Sequence, residues 1–248
     1  MQESVTSSKR KKKQLDGVKS VIFTVLFIFI FFLIFSILVV SKRSNICFEP
    51  QTFYLVYVQK DKNQEVLLEN KSKVKNLGGA GIIVEKNKVY YLAVSIYQKK
   101  DDAVEIKNNI EKQFKESGVV ELLSKSISNK YRKLLKQNDC YFIIYKKIYD
   151  LIDENESLIF NYVKGEIGDG KFISTLLAEK IELEKLKESC EKQKVVDLEV
   201  LLEYISILLS HYENILNKFY TVDLKESLCF EFFINYVQTY IELSNNFN

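Results

Sequence analysis

The chain has 248 residues, 36 Lys and Arg against 33 Asp and Glu, and a formal charge of +3. Much of the positive excess sits in residues 1–20, so the rest is near neutral and offers no basic footprint for nucleic acid. Four cysteines without a Cys-x-x-Cys pair, and one histidine, supply no zinc framework.

Residues 1–20 form a basic tail with Lys9, Arg10, Lys11, Lys12, Lys13 and Lys19. Residues 21–40 follow, from Val21 to Val40, reading VIFTVLFIFIFFLIFSILVV without a charge, Gly, Pro, Asn or Gln. A helix of that length crosses roughly 30 Å, the thickness of a bilayer's hydrocarbon core. Its apolar run is longer than that of a cleaved signal peptide, and Val39-Val40-Ser41 gives no small-residue cleavage site. The sequence therefore predicts a single-pass signal anchor in the cell membrane. The charge asymmetry across it places the N-terminus in the cytoplasm and residues 41–248 outside.

Residues 41–52 read as a linker holding Pro50, the only proline. From 53 to 124 the pattern alternates between strand and helix. Phe53–Gln59 is aromatic and β-branched, as a strand should be. Residues 63–77 suit a helix packed on a sheet, and Gly78-Gly79-Ala80-Gly81 ends it. Residues 81–86 and 89–97 pair as a hairpin about a tight turn at Asn87-Lys88. Asp101 and Asp102 favour the start of a second helix. Ser117-Gly118 stops it, and VVELL (119–123) reads as a last strand or the start of a further helix. The order β-α-β-β-α-β is that of small ferredoxin-like or ribonucleoprotein-like domains.

Strand alternation assigns Tyr54, Val56, Val58, Leu92, Val94 and Ile96 to a core face beneath two helices. The other face then holds Phe53, Leu55, Tyr57, Gln59, Tyr91, Ala93, Ser95 and Tyr97.

Residues 53–120 resemble a SPOR domain, the peptidoglycan-binding module of bacterial division and sporulation proteins. The match rests on Gly79 to Gly81, the hairpin at 87–88, the strand Tyr90-Tyr91-Leu92-Ala93-Val94-Ser95-Ile96-Tyr97, Ala103 and Gly118. The first strand departs from the family pattern: Tyr57 stands where Gln is usual and Gln59 where Gly is usual. The resemblance implies glycan-strand binding across the open sheet face. Tyr57, Gln59, Tyr91 and Ser95 are the candidate residues, rings for stacking on sugars and amide or hydroxyl groups for hydrogen bonds.

Residues 125–248 carry apolar residues at helical spacing, near 128–138, 141–165, 172–193, 196–219 and 223–244. They predict a four- or five-helix antiparallel bundle suited to packing against a protein partner. Gly165 to Gly170 with Lys171 has the Walker spacing, but Phe172 occupies the Ser/Thr position and no strand precedes it. Cys140, Cys190 and Cys229 read as small buried hydrophobes, with a Cys140–Cys229 disulfide as the alternative.

His211 stands alone, and no nucleophile motif accompanies it. The carboxylate pairs Glu184–Glu188 and Asp150–Asp153 read as solvated helix faces. No cofactor, metal or enzymatic activity is expected. The predicted fold class is α+β: an N-terminal transmembrane helix, a SPOR-like domain and an all-α bundle. The predicted function is membrane-anchored peptidoglycan binding in division or sporulation. The alternative is an envelope assembly or scaffold protein that binds protein through a degenerate SPOR-like fold.

Overall fold

The computed structural model describes residues 48–128, 131–133, 139–192 and 198–248. Strand β1 spans Thr52–Asp61, followed by helix α1 (Glu65–Asn76), β2 (Ile82–Lys86), β3 (Val89–Tyr97), α2 (Lys100–Ile110) and β4 (Gly118–Leu123). The strands form one antiparallel sheet in the order β2-β3-β1-β4. That order, with one helix in each half, is the predicted split β-α-β arrangement. Asn87 and Lys88 both take left-handed backbone (φ 53° and 62°), the geometry of a two-residue turn whose twist matches its strands. Gly78 at φ +83° lets the chain leave α1 where a side chain would be strained.

Four long helices follow: α3 (Asp139–Val163), α4 (Asp169–Glu191), α5 (Glu199–Lys218) and α6 (Lys225–Asn246). Each packs on the next, and α3 also packs on α6, which closes a four-helix bundle. Most of the predicted helix near 128–138 lies outside the described residues, which there include only the helical turn 131–133.

Two parts of the sequence reading are corrected. The predicted spanning helix, Val21 to Val40, lies outside the described residues, and no described helix is long and apolar enough to cross a membrane. The longest, α3 with 25 residues, is amphipathic and carries Lys146, Lys147, Asp150, Asp153 and Glu154. The fold class is accordingly α+β, a four-stranded sheet with helices, with no spanning element among the described residues. The predicted single-pass membrane localisation is likewise not supported by any described helix.

The sheet and the bundle also share one core. Phe53, Leu55, Ala93 and Ile96 have no exposed surface and belong to the same apolar cluster as Ile144, Leu208 and Tyr236 of the bundle. Residues Phe48–Asn248 thus make one compact unit. Smaller clusters sit on the other side of the sheet. Leu67 and Val74 of α1 pack on Val58 and Leu92, and Ala103 of α2 packs on Val56 and Tyr97.

Candidate binding face of the sheet

The pairing of β1 with β3 decides where each candidate side chain points. Val56 lies opposite Ser95, Tyr57 opposite Ala93, and Gln59 opposite Leu92. Val94 and Val58 are thus skipped, one on each strand, as in β-bulges. Each extra residue moves every later side chain on its strand to the other face.

The consequence for the four candidates is unequal. Ser95 pairs with Val56 and joins it on the face toward the helices, where it is buried. Gln59 pairs with Leu92, also on that face, and its Oε1 accepts a hydrogen bond from Asn70 Nδ2 of α1 at 2.9 Å. Tyr97 likewise joins Tyr54 under α2, while Ile96 joins Leu55 on the opposite face. Only Tyr57 and Tyr91 stay together on the face that strict alternation assigns to all four. Their rings meet edge to face, with centroids 5.0 Å apart and planes at 66°. The Lys60 ammonium lies 6.0 Å from the Tyr57 centroid.

Gly118 on β4 makes room for this pair. A Cβ there would meet Tyr57 Oη at 2.5 Å and Cζ at 2.7 Å, so the ring lies directly on the glycine. Gly118→Ala is expected to displace the Tyr57 ring, breaking its contact with Tyr91 and costing about 1–3 kcal/mol. Chemical denaturation of the variant checks the cost.

Most of this face is covered. Helix α6 packs on β3, and Tyr240 meets Phe53 edge to face at 6.2 Å. An ion pair of 2.7 Å ties Glu231 of α6 to Lys75 of α1. The edge strands β2 and β4 also curl toward each other, for Lys86 Nζ donates to the Glu121 carbonyl. Near that contact Val84, Leu122, Gln238 and Ile241 line a cleft of about 370 Å³ between the sheet edges and α6. At the end of β3, α3 reaches the opposite face of the sheet: Phe160 stacks on Tyr97 at 5.0 Å, and the Gln98 backbone N–H donates to Glu156 Oε1 at 2.8 Å. Tyr57 keeps only 9% of its surface exposed. Tyr91 is half-buried. The aromatic pair therefore offers one partly open ring, not a row of platforms.

A cleft of about 780 Å³ lies elsewhere, where the turn after α1 meets the starts of α4 and α6. Tyr162 Oη donates to Asp169 Oδ1 at 2.9 Å, and Lys225 Nζ donates to Oδ2 of the same carboxylate. Those two bonds hold the Asp169 carboxyl below its ordinary range. Because the lysine is spent on Asp169, and Asp223 and Glu226 also line the cleft, it has no anion-binding character.

The bundle holds a polar group that the sequence does not single out. Glu179 of α4 is buried and accepts a hydrogen bond from Tyr212 Oη at 3.0 Å. Tyr212 Oη in turn accepts from Asn155 Nδ2 at 3.0 Å. Burial pushes the Glu179 carboxyl up to about 7. His211 lies against Thr239, its Nε2 3.0 Å from Oγ1, and burial lowers its pKa. Glu184 is paired with Lys180, and Asp150 with Lys146, each four residues away along its helix. Among the described residues no three His, Cys, Asp or Glu side chains converge as metal ligands would.

No family model matches the chain, and no curated protein matches it. Among solved structures, one similar chain is the solution structure of the peptidoglycan binding domain of the B. subtilis cell wall lytic enzyme CwlC. The identity is 16% and the TM-score 0.25, over 30% of this chain and 92% of that one.

Proposed function

We propose that this chain is a non-enzymatic interaction protein in which a SPOR-like sheet docks its own helical bundle and the assembled unit binds protein. The observation that carries this reading is the burial of Phe53, Leu55, Ala93 and Ile96 in a core common to sheet and bundle. A glycan strand needs an open face along several residues, and α6 occupies that length. Uncovering it would expose at least these four apolar side chains, at roughly 1.5–3 kcal/mol for each large one. Assembly or scaffolding then falls to the outward faces of the helices.

A second reading keeps glycan-strand binding, in division or sporulation wall remodelling, at the corner left partly open. The Tyr57–Tyr91 pair favours this, since the partly exposed Tyr91 ring, held edge to face by Tyr57, can stack on a sugar. The residues resembling a SPOR domain, and the binding named for the similar solved domain, point the same way.

Sedimentation with purified peptidoglycan sacculi separates the two. The first reading expects the full chain to stay in the supernatant, before and after amidase removes stem peptides, and Tyr91→Ala to change nothing. Pelleting that rises after amidase treatment and is lost in Tyr91→Ala would establish the second reading and overturn the first.

A further inference from the structure

The packed ends of α3 and α4 bring two thiols together. Cys140 lies in the first turn of α3 and Cys190 in the last turn of α4, and the two helices are neighbours. Each cysteine is 3% exposed, and both belong to the common core. The start of α3 and the end of α4 thus place the Cys190 thiol beside that of Cys140, which helps push its pKa up. Cys229 is placed differently. It is fully buried in α6, and its charged neighbours are Glu226 and Asp169. The partner that the bundle gives Cys140 is thus Cys190.

We propose that Cys140 and Cys190 are a redox-controlled pair that closes to a disulfide, stapling the start of α3 to the end of α4. Buried thiols that neighbour each other on packed helices are placed for closure to a disulfide, about 2.05 Å between sulfurs. The oxidant is a small-molecule or protein disulfide. One cysteine thiolate attacks it, forms a mixed disulfide and releases one thiol. The second cysteine then attacks the protein-bound sulfur and releases the other. Two cysteine thiols are oxidised, one disulfide is reduced to two thiols, and the two protons pass to the leaving thiolates.

The surroundings set the rate and the consequence. Burial and the neighbouring thiol push Cys190 up to about 12, so little thiolate exists at neutral pH and closure is slow there. The bond would close a loop of about 50 residues, a length for which cross-links give large stabilisation. That loop contains Asn155, Asp169 and Glu179. Closure would therefore fix the polar core and the turn before α4 together.

The test treats the full chain with oxidised glutathione at about pH 8.5, where thiolate is more available. Peptide mapping should find the Cys140 and Cys190 peptides joined, two hydrogens lighter than the separate thiols. The melting temperature should rise by roughly 5–10 °C and return on adding dithiothreitol. Cys190→Ser should remove both the link and the rise, while Cys229→Ser keeps both. Glutathione adducts without the link, a bond from Cys140 to Cys229 or Cys47, or unchanged thiols under excess oxidant would each overturn the proposal.

Discussion

Phe53→Ala should destabilise the whole unit, not the sheet alone. Truncating a fully buried phenylalanine removes its transfer energy and leaves a cavity, a loss of about 3–5 kcal/mol. Phe53 lies in β1, between the strand's partners and Tyr240 of α6, and has no exposed surface. Domains of this kind hold only about 5–15 kcal/mol in total, so the loss is a large part of the reserve. For a chain of this size it lowers the melting temperature by roughly 10 °C. Because one core joins β1 to α3, α5 and α6, helical and tyrosine signals should fall in a single transition in wild type and variant alike. Leu68→Ala on α1, where the side chain is 51% exposed, should change stability by no more than about 0.5 kcal/mol. Two separate transitions, with the helical signal untouched by Phe53→Ala, would show that sheet and bundle are independent and would remove the basis of the proposed function.

Local pattern carried the elements well. The strand at 53–59, the hairpin about Asn87-Lys88 and the four long helices are all present within a few residues of their predicted limits. Each rests on short-range physics: alternation, turn conformation or three-to-four spacing. The last strand was ambiguous as VVELL, and pairing with β1 from Gly118 to Leu123 decides it.

Facing was legible only up to the first irregularity. Nothing in Val58 or Val94 marks a bulge, since neither is Gly and no Pro or Asn stands beside them. The extra residues belong to the pairing of β1 with β3 while β1 also holds β4 and β3 also holds β2, a condition set across the sheet and not by neighbouring residues. So Ser95 and Gln59 turn toward the helices and away from the face that alternation predicts, while Tyr57 and Tyr91 share that face. The covering of that face is equally remote. It depends on Tyr240 meeting Phe53 across almost the whole described chain. Cys140 and Cys190 likewise become neighbours only once α3 and α4 pack. In α4, apolar residues fall on both sides: Leu176 and Leu183 are buried, but Leu177 and Ile181 are exposed. With no single apolar stripe, the sequence gives no sign that Glu179 points inward.

Glu179→Gln should stabilise the folded chain at neutral and alkaline pH and leave it nearly unchanged in acid. Burial is the main reason the carboxyl is held at about 7 rather than its ordinary 4.5, with Glu154 and Glu182 adding to the shift. The Tyr212 hydrogen bond and the Lys147 ammonium oppose it. Between those two pH values the folded chain keeps a proton that the unfolded chain has lost. Stability from this group is therefore fully present below about pH 4.5, falls as pH rises toward 7, and is level above that. The loss amounts to about 3 kcal/mol, and a neutral glutamine that can still accept from Tyr212 avoids it. Burial also raises Glu156, which gives a slope of the same sign, while the lowered His211 gives the opposite slope as pH falls. Both act equally in wild type and variant, so the difference between their denaturation profiles isolates Glu179. That difference should grow from near zero at about pH 4 to about 3 kcal/mol at about pH 8. Parallel profiles over that range would mean that Glu179 is already ionised in the folded chain, solvated or paired in a way that the Asn155–Tyr212–Glu179 chain does not provide.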